Sequence, residues 1–145
     1  GLDPDPAKRA RALELGADLA LDPTDADFGE AMAEHDLAGA CAAVLDFVGN
    51  DASLATARSL LAARGMLNIV GLGGGSTELS FFTMPPESVV TTTNWGSAPE
   101  MVEVIALARE GRIESTVTVY SLDEAQSAVD DLRAGRVHGR AVIVP

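Results

Sequence analysis

The stretch Gly1–Asp22, GLDPDPAKRARALELGADLALD, constrains the fold more than any other part of the chain. A short apolar start, Gly1-Leu2, ends at an acid, Asp3. Pro4 and Pro6 then open a helical stretch; Pro is tolerated in a first turn because its missing N–H has no partner there anyway. The spacing predicts a helix over Ala7–Leu15, and Gly16 is the residue type that most often closes a helix at C′. Ala17–Leu21 follows as a short apolar strand. Strand end, helix, glycine and strand form the second half of a βαβ unit, which commits a chain to parallel pairing.

The alternation continues. Asp25 is placed to cap a helix over Ala26–Asp36. Ala42–Val48 is an apolar run broken only by Asp46, the pattern of a buried parallel strand. Asn50 or Asp51 caps a helix through about Ala63, ended by Gly65, and Leu67–Leu72 is the next buried strand. Gly71–Ser76 is a glycine loop, and Leu79–Phe82 is a short strand or extended segment. Pro85-Pro86 breaks the chain before the β-branched run Ser88–Trp95. Ser97 and Glu100 have capping-box spacing for a helix to Glu110, stopped by Gly111. Thr116–Tyr120 is a strand, Asp123 caps a helix to Ala134 that stops at Gly135, and Ala141–Val144 is a last strand. The fold class is α/β with a mainly parallel, three-layer sheet.

Bulk properties exclude several function classes. At 145 residues the chain is one domain by size. A net charge of −12 argues against nucleic acid, which needs clustered Lys and Arg, and Lys8 is the only lysine. No apolar run approaches the ~20 residues of a membrane helix, and no signal peptide opens the chain. A single cysteine, Cys41, excludes an intrachain disulfide and fits a reducing, cytoplasmic setting.

An acid at a strand end, as at Asp3, hydrogen-bonds the adenosine ribose in a dinucleotide site; the phosphates then sit on a glycine-rich turn about 20 residues earlier. Taken alone, Asp3 reads more readily as a helix N-terminal acid stabilised by the macrodipole, and only its context favours the ribose role. The glycine loop at 71–76 is not that phosphate turn. A phosphate loop must open a helix so that amides and dipole face the anion, and Thr77-Glu78-Leu79-Ser80-Phe81 reads as extended. It is expected to be a lid or substrate-side loop.

The ordered set Asp3 with Lys8, Leu15-Gly16-Ala17-Asp18, Leu45-Asp46-Phe47-Val48-Gly49, Gly65 with Ile69-Val70-Gly71, Trp95-Gly96-Ser97, Leu122-Asp123-Glu124-Ala125 and Gly135 through Gly139-Arg140-Ala141-Val142 resembles one family over essentially the whole chain. It looks like the C-terminal, NAD-binding part of the medium-chain, zinc-type alcohol dehydrogenases. The resemblance implies a Rossmann-like sheet lacking its first strand, its glycine-rich turn and most of its second strand. It assigns residues 1–145 to a partial dinucleotide-binding domain, of which 121–145 returns in the family towards the catalytic domain.

The resemblance also implies roles. Asp3 would accept the ribose hydroxyls and favour NAD over NADP, with Lys8 reaching the same ribose. Phe47 and Val48 would line the adenine side. Val70, Gly71 and Leu72 would run beside the nicotinamide, as would the backbone of Thr93, Asn94 and Trp95. Arg140 would approach the pyrophosphate. The bland alternatives are a solvated helix lysine, strand core and a surface arginine. His35, Cys41 and His138 have no metal-ligand spacing; Cys41 reads as a small buried hydrophobe, and the family's zinc ligands lie in a domain outside this sequence. The expectations are therefore a fragment of an oxidoreductase, moving a hydride between NAD and an alcohol or aldehyde and nearly inactive alone. A homodimer is expected through the edge strand Ser88–Thr93. A gap of about 14 Å would stand where the first strand is missing, filled by a partner or by repacking. The rival classes are a non-catalytic nucleotide-binding or regulatory module and, ranked last, a methyltransferase-like domain.

Overall fold

The computed structural model describes residues 1–145. The chain divides into two compact units, Gly1–Asn94 and Trp95–Pro145.

The first unit begins with a parallel bridge between Leu2 and Leu21. The Asp3 amide donates to the Leu21 carbonyl at 3.1 Å, and the Leu21 amide to the Gly1 carbonyl at 3.0 Å. The strand expected over Ala17–Leu21 shrinks to this bridge, because its partner runs into Pro4, which has no N–H to continue a ladder. Between the two, helix α1 (Pro6–Glu14) is capped by Asp5, whose carboxylate accepts the Ala7 amide at 2.8 Å. Helix α2 (Phe28–Glu34) is shorter than expected, and its N-cap is Asp27, not Asp25. Asp25 instead accepts the Asp27 amide at 3.4 Å and stays outside the helix.

The sheet of this unit has the order β1-β2-β3, all parallel, with β1 at Cys41–Asp46, β2 at Leu61–Ile69 and β3 at Val89–Thr92. Helix α3 (Asp51–Leu60) crosses over between β1 and β2. It opens with a capping box in which the Asn50 side chain accepts the Ser53 amide and the Ser53 hydroxyl accepts the Asn50 amide. The helix ends at Leu60, not Ala63, and Gly65 lies within β2 rather than after the helix. Leu61 turns extended and pairs with Cys41, and the register then slips so that Ala43 faces Met66. Burial of Leu61, only 1% exposed, and strand pairing outweigh the helix propensity of Ala62 and Ala63.

Pairing puts Val44, Leu67 and Val90 on one face of the sheet, where α3 packs. Ala57, Leu61 and Leu67 form the centre of that core, with Ile69 and Met84 against it. The opposite face carries Leu45, Met66 and Val89, which are 55%, 40% and 55% exposed. The extended segment expected at Leu79–Phe82 is a turn. The Thr83 hydroxyl donates to the Glu78 carbonyl at 2.9 Å, and the Thr83 and Met84 amides donate to the Ser80 carbonyl at 3.2 Å. Hydroxyls at both ends favour such a closed turn over a ladder.

In the second unit, Ser97 and Glu100 form the expected capping box on helix α4 (Ala98–Arg109). Strand β4 (Val117–Ser121) pairs in parallel with β5 (Arg140–Val144), from Val117 with Arg140 to Ser121 with Val144. They make a two-stranded sheet of their own. The connection starts as a 3-10 turn, Leu122–Glu124, before helix α5 (Ala125–Arg133). Ser121, not Asp123, holds its start: the Ser121 amide and hydroxyl both donate to the Glu124 carboxylate, at 2.9 and 2.8 Å. The Tyr120 hydroxyl donates to Asp131 at 3.0 Å, and Arg136 donates twice to the same carboxylate, at 2.9 and 2.7 Å. These bonds tie α5 to β4 and to the turn after it. The Arg136 guanidinium, and then the Tyr120 hydroxyl, hold the Asp131 carboxyl below its ordinary value.

Candidate functional site

Asp3 sits where the Leu2–Leu21 bridge ends and the chain turns into α1. Its Oδ1 accepts the Asp5 amide at 2.9 Å, and its Oδ2 lies 3.8 Å from the Lys8 ammonium. Asp5 caps the helix, so Asp3 is not needed as a cap. Its Oδ2 faces only a cation on a flexible stem and remains able to accept from a ligand hydroxyl. The structure thus places the charged groups of Asp3 and Lys8 3.8 Å apart.

Arg9 completes the corner and was not legible as a site residue. One of its guanidinium nitrogens donates to the Asp3 carbonyl at 2.8 Å, the Pro4 carbonyl at 2.9 Å and Asp22 Oδ2 at 3.0 Å. Asp22 also accepts the Thr24 hydroxyl and amide. Those two bonds lead, and Arg9 assists, in holding the Asp22 carboxyl below its ordinary value. Arg9 therefore clips the turn after the first strand to the end of the next.

A second group of candidates gathers at the carboxyl ends of β1, β2 and β3. That is the edge of an open parallel sheet at which ligands bind. Phe47 and Val48 follow β1 and are 70% and 53% exposed. Val70, Gly71 and Leu72 follow β2: the Val70 and Gly71 amides both donate to the Asp46 carbonyl, at 2.8 and 2.9 Å, and the Leu72 side chain is exposed. Thr93 follows β3; its amide donates to the Ile69 carbonyl at 3.1 Å and its hydroxyl to Asn68 Oδ1 at 2.9 Å. Asn94 next to it is exposed.

The glycine loop is zipped to the β1–α3 junction. The Gly73 amide donates to the Val48 carbonyl at 2.9 Å, the Gly75 amide to the Gly49 carbonyl at 2.8 Å, and the Ser76 amide to Asp51 Oδ1 at 2.7 Å. The two backbones approach so closely that a Cβ on Gly73 would lie 2.6 Å from the Val48 carbonyl oxygen. Glycine serves this backbone contact here, and no helix follows the loop directly.

Asp46 holds the junction. It is 6% exposed, and a carboxylate so buried must be fully hydrogen-bonded. Its Oδ1 accepts the Val48 and Gly49 amides at 2.8 and 3.0 Å, and its Oδ2 accepts the Ser53 hydroxyl at 2.8 Å. The one sequence signal for it was an acid interrupting an apolar strand.

Trp95 and Arg140 belong to the second unit. Trp95 is 88% exposed with φ +61°; Arg140 is an exposed residue opening β5, its amide bonded to the Thr116 carbonyl at 2.9 Å. A groove of about 430 Å³ in the first unit, between the end of α3 and the 82–85 turn, contains none of the nucleotide candidates, and Arg58 is its one ionisable side chain. No group of three His, Cys, Asp or Glu is placed to hold a metal ion. The residues present therefore do not fit a zinc site. No helix is long and apolar enough to cross a membrane.

The chain is 32% identical over 136 residues to the D-arabinose 1-dehydrogenase (NADP(+)) of Saccharolobus solfataricus, covering 92% of this chain and 38% of that protein. It is 33% identical over 137 residues to the NAD-dependent alcohol dehydrogenase of Sulfolobus acidocaldarius, covering 91% and 38%. The alcohol dehydrogenase of Aeropyrum pernix superposes with a TM-score of 0.83 at 29% identity, over 99% of this chain and 42% of that one. The chain thus spans well under half the length of these relatives. Residues 1–110 match the family described as "Zinc-binding dehydrogenase". By that match and by its parallel α/β fold, the chain belongs to the zinc-binding dehydrogenase family, a family of oxidoreductases.

Proposed function

We propose that the chain is the coenzyme-binding part of an NAD-dependent dehydrogenase acting on an alcohol or aldehyde. The observation that carries this reading is the Asp3–Lys8 corner, with Asp5 rather than Asp3 capping α1. A carboxylate there accepts two ribose hydroxyls and repels a 2′-phosphate, which favours NAD over NADP. The two archaeal relatives are named for different coenzymes, so the choice for this chain rests on its own Asp3. NAD, when bound, supplies the hydride acceptor. This chain's residues bind and orient it: Asp3 and Lys8 at the ribose, Phe47 and Val48 at the adenine. The backbone of Val70–Leu72 and Thr93–Trp95 serves the nicotinamide side, and Arg140 the pyrophosphate. Catalytic metal and proton relay come from outside these residues, so the chain alone turns over primary alcohols at background. The free thiol of Cys41 suits a reducing compartment such as the cytoplasm.

The direct test is competitive titration of the dehydrogenase with NADH and NADPH. NADH binds more tightly, and Asp3→Ser narrows the preference by about tenfold, as for loss of a charged hydrogen-bond acceptor. Equal affinity of the wild type for both coenzymes overturns the assignment. Strand β3 stands at an edge of its sheet, and we infer that Ser88–Thr93 pairs with its counterpart in a second copy. A stable monomer at micromolar concentration, by size-exclusion chromatography with light scattering, contradicts that pairing.

A further inference from the structure

We infer that Asp46, with Ser53, is the positioning residue that sets the two coenzyme-facing turns against each other. The inference rests on the coenzyme reading above but concerns a buried residue whose side chain bonds only to this chain's own Val48, Gly49 and Ser53. Asp46 reaches both turns at once. Its side chain accepts the Val48 and Gly49 amides and so fixes the turn that presents Phe47 and Val48. Its carbonyl accepts the Val70 and Gly71 amides and so fixes the start of the second turn. Ser53, on the first turn of α3, donates to Asp46 Oδ2 and also accepts the Asn50 amide, which locks the carboxylate's rotamer to the helix. A carboxylate this buried forfeits its hydration, and its side-chain bonds go mainly to holding backbone. Gly71 then passes so near Phe47 that a Cβ there would lie 2.5 Å from the Phe47 carbonyl carbon. A shift of the first turn is therefore transmitted to the second by contact.

Asparagine keeps this geometry, because its Oδ1 accepts the two amides and its Nδ2 donates to the Ser53 hydroxyl. Alanine removes all three bonds. The experiment compares wild type, Asp46→Asn and Asp46→Ala in the whole dehydrogenase that contains this chain, reading KM for NAD, KM for the alcohol and kcat per folded enzyme. In Asp46→Ala, KM for NAD rises about tenfold while KM for the alcohol stays within about twofold; Asp46→Asn stays within about threefold of wild type for both. A purely structural role lowers the folded fraction and leaves the KM of the surviving enzyme unchanged, and that result overturns the inference. Equal loss in the Asn and Ala variants also overturns it, since charge rather than geometry would then be acting. If Asp46→Ala does not fold, Asp46→Ser replaces it; its hydroxyl accepts one amide and falls short of Ser53, and a wild-type KM for NAD there refutes the role. A wild type without NAD-dependent activity instead refutes the coenzyme reading.

Discussion

Replacing Gly75 by alanine tests the zipped glycine loop most sharply. The new Cβ would lie 2.6 Å from Asn50 Cα, and nearer still to the Asn50 carbonyl carbon. Ordinary carbon contacts are about 3.5–4.0 Å, so the loop must move away by about an ångström. That movement breaks the bond from the Gly75 amide to the Gly49 carbonyl and the bond from the Ser76 amide to Asp51. The first costs about 1 kcal/mol and the second, to a carboxylate, about 2 kcal/mol, giving about 3 kcal/mol together. Gly74→Ala is the internal control. Gly74 has φ +74°, and a methyl group added there would meet no atom within 4 Å, so the substitution costs only the left-handed strain. That strain is about 1 kcal/mol. Hydrogen exchange followed by NMR gives the clearest signal: the amides at position 75 and of Ser76 exchange about 100-fold faster in Gly75→Ala. Thermal unfolding should show a Tm drop of roughly 10 °C, against about 3 °C for Gly74→Ala. If Gly75→Ala costs no more than Gly74→Ala by both measures, the loop is not held against the β1–α3 junction and the reasoning is refuted.

Leu67 is fully buried at the centre of the sheet's covered face, and Leu67→Ala should lose about 3 kcal/mol in urea unfolding; a loss under about 1 kcal/mol would mean that the core collapses around the gap. Arg9→Leu removes three bonds between the Asp3 turn and Asp22, and limited proteolysis should then cut within Gly1–Asp27 while leaving β1–β3 intact; unchanged resistance would show the clip to be dispensable. Acid should weaken the fold. The carboxyls of Asp22, Glu100, Glu124 and Asp131 are held below their ordinary values by, first, Thr24, Ser97, Ser121 and Arg136 respectively. Groups depressed in the folded state contribute stability above their unfolded values, about 4, and that stability is lost as pH falls through the lower folded values. A urea midpoint that is flat between pH 6 and about 3 would contradict this.

Apolar and β-branched runs made β1, β3, β4 and β5 legible, and the Ser97–Glu100 capping box with Gly111 made α4 legible. Leu61 was not: Ala62 and Ala63 look helical, and only pairing with Cys41 reveals a strand. Caps were misread where two candidates lay close together. Asp27 stands at the N-cap where Asp25 was expected, with no side-chain bond of its own, and at the other helix the Glu124 carboxylate accepts the Ser121 amide and hydroxyl where Asp123 was expected to cap. Asp3 and Lys8 were brought together by the resemblance, and the structure sets their charged groups 3.8 Å apart. Arg9 acts through a contact to Asp22, distant in sequence; Asp46 showed only as an acid in an apolar strand, and the bonds of its carbonyl to Val70 and Gly71 are ones no local pattern encodes.

The sheet of the first unit, covered by α3 on one face and carrying Leu45, Met66 and Val89 beside Asn68 and Thr91 on the other, governs how this chain behaves as a solute. Leu45, Met66 and Val89 attract any similar surface, while a net charge of −12 keeps copies apart. The two act over different ranges. In dilute buffer at about 0.01 M ionic strength, repulsion extends roughly 30 Å and dominates. At about 1 M it reaches only about 3 Å, and sulfate strengthens apolar association besides. Solubility should therefore fall steeply with added salt, and the chain should bind a hydrophobic-interaction resin at modest ammonium sulfate and elute as the salt is withdrawn.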